Sequence, residues 1–373
     1  MQKIRIGFIG AGLIAHGHAL SLRSLIEGNT FPAVDVKLAG VYDSESAKAS
    51  VFAEQHAVTT AVSDVEELFA DSAINVIYIC TPTAYHKSYF LRAAAAGKHI
   101  FVEKPLAFST SEIKEMIAAQ KKAGVAAQVG LVLRFEPIFW YIKQLITRQR
   151  EVFGSLLHFH FRSDQEWPLC GSFHDSQWRA DPREAFAGCL FEHSIHDVDL
   201  IRYLFGEVSE LSAFVNYRSD QSAGQIEDAV TANFSLSDGG SGNLTSLYHR
   251  IKGRDVRRLE IIFERAAIIL DDYTPGGFTQ RYRELAVEIS GQKRERLEQA
   301  AIDRAYYESV GRPSLLLPEM VSAYRYQALA FLRSLIKRQP VFPNLEAALQ
   351  AHRLIESIYS FARRGQALHK VSV

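Results

Sequence analysis

The sequence is poor in cysteine, holding only Cys80, Cys170 and Cys189. Three thiols cannot all pair within one chain, and none has the spacing of a metal-ligand pair, so a disulfide scaffold and a cysteine metal centre are both excluded. They are read as reduced, buried thiols of a cytoplasmic protein. Net charge is also missing: 42 basic side chains cancel 42 acidic ones. Without a global field, nucleic acid and anionic membrane surfaces are not expected partners. No uninterrupted apolar run is long enough to span a bilayer. The opening "MQKIRIGFIGAG" has too short an apolar stretch for a signal peptide and runs straight into a glycine turn. Short-period repeats and low-complexity segments are absent as well.

What is present is an ordinary globular composition, 373 residues of which 47% are hydrophobic. That length favours two domains. Ile4, Ile6, Phe8 and Ile9 form a β-rich run that ends in Gly10-Ala11-Gly12-Leu13-Ile14-Ala15. Helical spacing follows in "HGHALSLRSLI". Each small residue has a reason. Gly10 permits the sharp turn, Gly12 lets a pyrophosphate approach the backbone, and Ala15 lets the helix pack on the strand. The helix N-terminus, from Leu13 and Ile14 onward, offers free N–H groups and a partial positive charge to phosphates. A second strand, Val36 to Val41, ends at Asp43. An acidic side chain there suits both ribose hydroxyls of an adenosine and repels a 2′-phosphate. The competing role for Asp43 is a helix N-cap. No arginine immediately follows it, so NAD is preferred over NADP.

Two more strand–helix units follow. "NVIYIC" is a continuous apolar run of the parallel-sheet type and ends in Thr81-Pro82-Thr83, with His86 opening a helix. "KHIFVEK" is the next strand, and "STSEIKEMIAAQKKAG" the next helix. Alternating strands and helices imply right-handed crossovers and a doubly wound parallel sheet, the Rossmann arrangement. Ligands bind outside the carboxyl ends of such strands. Asp43, Thr81 and Lys104 all fall there.

The stretches "GFIGAGLIA", "ICTPTAYH", "FVEKPLAFS", "VGLVLRFEP", "FEHSIHDVDLIRYLFG" and "AALQAHRLIESIYSFARRG" together make the chain resemble the glucose-fructose oxidoreductase/inositol dehydrogenase (Gfo/Idh/MocA) family. The resemblance covers nearly the whole chain. It implies an α/β Rossmann domain (1–127), then an α+β domain with a large, mainly antiparallel sheet (128–340). A C-terminal helix (341–373) is expected to pack back on the first domain. It implies NAD as cofactor, with Gly10, Gly12, Leu13, Ile14, Asp43, Thr81, Pro82, His86, Glu103 and Lys104 around it. In such proteins the lysine of the Glu-Lys-Pro triplet, here Lys104, lies near the nicotinamide, and the Lys-Pro bond is commonly cis. The large sheet often serves as an oligomer interface, which gives a homodimer or homotetramer.

In "GCLFEHSIHDVDLIRYLFG" an amphipathic helix would place Glu192, His196 and Asp199 at i, i+4 and i+7 on one face. Glu192 is the third catalytic candidate, at a position where family members often carry an aspartate that orients the histidine. His196 is the leading general base because imidazole titrates near neutrality; Lys104 either stabilises the same oxygen or shares the role of base. The polar, aromatic stretch before this helix supplies candidates for a sugar pocket: Arg162, Gln165, Trp167, Trp178 and Arg179, with His193 beside them. Aromatic faces stack on sugar C–H surfaces, while guanidinium and amide groups read hydroxyls. His16, His18, Tyr306 and Tyr307 read as structural. The charged stretch 279–320 reads as a solvated excursion or an oligomer contact. No metal site is expected.

The reading is an oxidoreductase interconverting an alcohol and a ketone on a sugar, inositol or related polyol. Two alternatives stay open: a glycosidase or lyase that oxidises its substrate only transiently, and a non-catalytic dinucleotide sensor.

Overall fold

The structure is a computed structural model, and it describes residues 2–167, 177–218, 225–251, 255–273, 284–310 and 322–364. The first elements alternate: β1 (Gln2–Ile9), α1 (Leu13–Glu27), β2 (Val34–Tyr42), α2 (Ser46–His56), β3 (Thr60–Ala61), α3 (Val65–Ala70), β4 (Val76–Ile79), α4 (His86–Ala95), β5 (His99–Val102), α5 (Thr110–Ala123) and β6 (Ala127–Val129). The six strands form one parallel sheet in the order β3-β2-β1-β4-β5-β6. The order reverses between β1 and β4, which is the switch point of a Rossmann sheet. β4 is buried along its whole length, as a strand covered on both faces must be.

Local chemistry fixes the helix ends. Ser109 caps α5: its hydroxyl accepts from Glu112 N–H, and the Glu112 carboxylate returns to the Ser109 N–H. Such a reciprocal box contributes about 1 kcal/mol. Gly97 follows α4 with φ +70°, and Gly124 ends α5 with φ +65°; both are left-handed stops.

The chain continues with α6 (Pro137–Arg148), α7 (Arg150–Phe153), β7 (Leu156–Glu166), α8 (Pro182–Ala185), α9 (Ile195–Phe205), β8 (Val208–Asn216), β9 (Ala229–Leu236), β10 (Ser241–His249), β11 (Val256–Phe263), β12 (Ala266–Tyr273), β13 (Glu284–Ile289), β14 (Glu295–Arg296), α10 (Gln299–Ser309), α11 (Ser322–Lys337) and α12 (Leu345–Arg363). The eight strands form a second sheet in the order β14-β13-β12-β11-β7-β10-β9-β8. Among the described residues, only the β7–β10 pair is parallel. Phe159 of β7 stacks on Phe205 of α9 at 4.4 Å, which marks the covered face. The fold class is therefore the expected one.

The chain divides into two units. One holds the described residues up to Glu136 and those from α11 to Gln350; the other holds those from Pro137 to the end of α10 and from Ala351 on. This division differs from boundaries at 127 and 340. The return of α11 to the first unit has a packing cause. Ala328, Phe331 and Leu332 of α11 join Ala15, Ala19 and Leu22 of α1 over Tyr78 and Phe101 of the sheet, in one core. From Ala351 on, the last helix is tied within the second unit: His352 packs on Phe191 at 5.4 Å, and Tyr359 hydrogen-bonds Glu227. The described part of the charged stretch, 284–310, supplies β13, β14 and α10 rather than an excursion; the rest of it lies outside the described residues. Tyr306 of α10 is buried against Trp140 of α6. No helix among the described residues is long and apolar enough to cross a membrane.

Candidate active site

In the first unit, backbone bonds extend the parallel ladder past the strand ends. Gly10 N–H donates to Tyr42 O (2.8 Å), Cys80 N–H to Ile9 O (2.8 Å), and Glu103 N–H to Ile79 O (3.0 Å). Gly10, Asp43, Thr81 and Lys104 are thereby aligned on one edge, as expected. Gly10 has φ +94°, and a Cβ there would sit 2.7 Å from Cys80 O. No other residue fits that turn. A Cβ on Gly12 would meet nothing within 4 Å, so the space before α1 is open. No side chain caps that helix. Open space, an uncapped helix N-terminus and a carboxylate beside it fit a dinucleotide. Leu13 is half-exposed at the mouth of the turn, whereas Ile14 packs into the core and has only its backbone to offer.

Asp43 does more than the sequence suggests. One carboxylate oxygen accepts from Ala11 N–H (2.8 Å) and the other from Glu45 N–H (2.9 Å). It therefore holds the glycine turn as well as the turn into α2, and it is not the residue that caps α2. Its remaining lone pairs are available to ribose hydroxyls.

The Lys104–Pro105 peptide is cis. Lys104 is half-buried in the turn after β5. Glu103, read from sequence as a cofactor contact, turns elsewhere. One oxygen lies 2.7 Å from His18 Nε2, and the other accepts Lys104 N–H at 3.0 Å. His86 is fully buried, with Nδ1 2.8 Å from Pro105 O and Nε2 2.9 Å from Thr81 O. Burial pushes its pKa down against the opposing pull of those two carbonyls. It ties two loops together instead of presenting a ring to a ligand. Thr81 and Pro82 lead into the turn before it, and the Thr81 hydroxyl is buried without a hydrogen-bond partner.

In the second unit, the stretch expected as one helix is two pieces. Cys189–His193 is a π-helical turn, closed by Ser194 N–H to Cys189 O at 2.9 Å, and α9 starts only at Ile195. A five-residue ring rotates the chain less per residue than an α-turn. Glu192 therefore belongs to the π-turn, while His196 and Asp199 belong to α9. Glu192 is buried, and its carboxylate accepts from Arg179 Nε (2.9 Å) and from Tyr248 hydroxyl (3.1 Å). His196 is half-buried on the first turn of α9.

The sugar-pocket candidates separate. Trp167 is 1% exposed and packs on Tyr248 at 4.9 Å, so it has no face to offer a soluble ligand. Trp178 is half-buried, and the Arg179 guanidinium lies 4.3 Å over its ring. Arg162 forks onto Asp164 through Nε (3.0 Å) and a terminal nitrogen (2.6 Å), and that pairing raises its pKa. Gln165 is half-buried, and its side-chain oxygen has no hydrogen-bond partner. His193 is buried. Its Nε2 lies 3.2 Å from Arg257 and 3.2 Å from Ser163 hydroxyl, beside the buried Arg257–Asp197 pair.

Sequence reasoning missed Tyr248 and Glu227. Burial raises the pKa of both. Glu227 accepts from Gly188 N–H (2.7 Å), Leu190 N–H (3.1 Å) and Tyr359 hydroxyl (2.6 Å), and so braces the π-turn. No local pattern signals either contact. Cys80 and Cys189 are free and buried; Cys170 lies outside the described residues. Among the described residues, no group of three or more histidine, cysteine or carboxylate side chains is placed to hold a metal.

The description "Oxidoreductase family, NAD-binding Rossmann fold" matches residues 4–131, and "GFO/IDH/MocA C-terminal domain" matches 139–269. The chain belongs to the Gfo/Idh/MocA oxidoreductase family. It is 30% identical over 277 residues to uncharacterized oxidoreductase YrbE of Bacillus subtilis (strain 168), covering 74% of this chain and 75% of that one. It is 28% identical to scyllo-inositol 2-dehydrogenase (NAD(+)) of the same organism, over 72% and 74% of the two chains. Levoglucosan dehydrogenase in complex with NADH and levoglucosan superposes with TM-score 0.81 at 22% identity, over 97% of this chain and 98% of that one, a likeness of fold alone. The first unit is an NAD-binding Rossmann domain.

Proposed function

We propose that this oxidoreductase interconverts an alcohol and a ketone on a neutral sugar, inositol or related polyol. The observation that carries the proposal is the place of Lys104. It stands at the carboxyl end of β5, on the same edge as the Gly10–Gly12 turn and Asp43. The glycine turn and the first turn of α1 would hold the pyrophosphate, and Asp43 the ribose. When bound, NAD supplies the acceptor for the carbinol hydride. Lys104 donates a hydrogen bond to the substrate oxygen and stabilises its developing negative charge. His196 takes the hydroxyl proton. Glu192, held by Arg179 and Tyr248, anchors the turn ahead of His196.

The arginines support a neutral substrate. Arg162 is matched by Asp164, and Arg179 by Glu192. A carboxylate-bearing sugar would have to compete with a built-in carboxylate at each. Two or four copies are expected to associate through the face of the large sheet that bears His160 and Asn243, and light scattering of the purified chain measures that directly.

The test is incubation with NAD and a panel of inositols, neutral sugars and uronic acids, followed by absorbance of reduced cofactor. Accumulating NADH with neutral members supports the proposal. Turnover of uronic acids alone, or product formed with no net NADH, contradicts it; the second result points to transient oxidation.

A further inference from the structure

We propose that His18 is a positioning residue for Lys104, acting through Glu103. The proposal rests on reading Lys104 as the group that binds the substrate oxygen. His18 lies on α1, the helix that begins in the glycine turn, and its ring is almost completely buried. Its Nε2 is 2.7 Å from one Glu103 oxygen, and the other oxygen accepts the N–H of Lys104 itself. One carboxylate thus spans from the imidazole to the backbone of the lysine.

Two further observations make this carboxylate a fixed point, and a third fixes the other side of the lysine. The His18 ring is wedged edge-on against Phe101 (4.6 Å), Tyr324 (5.2 Å) and Tyr78 (5.6 Å), so it cannot swing away. A Cβ on Gly130 would lie 2.7 Å from both Glu103 oxygens, so the end of β6 closes the opposite side. Beyond the lysine, His86 holds Pro105 O. The residues flanking Lys104 are therefore each tied to a buried histidine, and the two histidines come from different helices. A satisfied core pair would need only the His18–Glu103 contact. The bond onward to Lys104 N–H is what a positioning role adds.

The test compares the wild-type chain with His18→Leu, which removes the partner, and His18→Gln, which keeps a donor at similar reach. The first readout needs no substrate: the rate at which trinitrobenzenesulfonate labels Lys104 at fixed pH, read on its peptide by mass spectrometry. The second is NADH affinity. The third is kcat on whichever polyol reduces NAD. In His18→Leu the labelling rate of Lys104 changes several-fold and kcat falls about tenfold or more. NADH affinity stays within about threefold, the range of a peripheral change, and His18→Gln recovers most of the loss. If His18→Leu does not fold, Gly130→Ala presses on the same carboxylate with His18 intact and must alter Lys104 labelling. Unchanged labelling in the folded variant, whatever its melting temperature, overturns the proposal. Altered labelling, with Lys104→Ala retaining full turnover, instead keeps the positioning and removes the catalytic reading.

Discussion

Replacing Gly188 by alanine separates the two units of the chain experimentally. Gly188 stands just before the π-turn, with a negative φ of −104°. The difficulty is space. An added Cβ would lie 2.0 Å from Glu227 O and 2.4 Å from the Ile226 side chain. The tightest tolerable approach is about 3.0 Å, so the turn or the neighbouring strand must move by roughly 1 Å. The obstructing atom is a backbone oxygen that already accepts Cys189 N–H at 3.1 Å, so it cannot simply turn aside. Overpacking of this kind costs about 1–3 kcal/mol. Loss of the Gly188 N–H bond to the buried Glu227 carboxylate adds about 1–2 kcal/mol. The sum, about 2–5 kcal/mol, lowers the melting temperature of the second unit by on the order of 10 °C. A shift of that size just ahead of His196 lowers turnover by on the order of 10²-fold. NADH binding, built in the first unit, stays within about twofold, a difference of under 1 kcal/mol. Calorimetry, NAD reduction and NADH fluorescence read the three quantities. A Gly188→Ala protein with wild-type melting and turnover refutes the reasoning.

Gly17 is the opposite case: it lies inside α1, and an added Cβ meets nothing within 4 Å. Gly17→Ala stabilises by about 0.5–1 kcal/mol, seen as a raised melting temperature; a lowered one contradicts the geometry. Asp43→Ser removes the carboxylate that repels a 2′-phosphate and loosens the glycine turn. It weakens NAD binding while raising the ratio of NADP to NAD turnover, and an unchanged ratio removes Asp43 from cofactor choice. His56 is buried, with Nε2 2.7 Å from His16 Nδ1. Burial first, then His16 and Arg23, push its pKa down from 6.5 to about 4. The unfolded chain therefore takes up a proton that the folded chain refuses. Stability is full above pH 6.5, falls as pH drops from 6.5 towards 4, and levels off below. The loss is at most about 3 kcal/mol. Urea unfolding of His56→Leu at neutral and acid pH shows a flatter slope than wild type; an equal slope contradicts this origin.

The parallel sheet was legible because its strands are continuous apolar runs with strong punctuation. Gly10 has to be glycine, Ser109 and Glu112 spell a capping box, and Lys104-Pro105 ends a strand abruptly. The site's surroundings were not legible, because distant residues set them. The sequence of the π-turn has ordinary helical spacing, and what braces it is a carboxylate 39 residues beyond Gly188. Glu192 looked free to orient His196 until Tyr248 and Arg179 claimed its oxygens. Trp167 has the chemistry of a stacking platform, but the parallel pairing of β7 with β10 brings Tyr248 against it and buries it. α11 carries no local mark of its destination, and only Tyr78 and Phe101, beside α1, explain where it packs.

The most direct test is single-turnover NADH formation by the wild-type chain and Lys104→Ala, each saturated with NAD and mixed with the neutral polyol that wild type oxidises. The account predicts a burst in wild type and a rate lower by about 10²-fold or more in the variant, with NADH affinity preserved. Equal rates in the two proteins would contradict it.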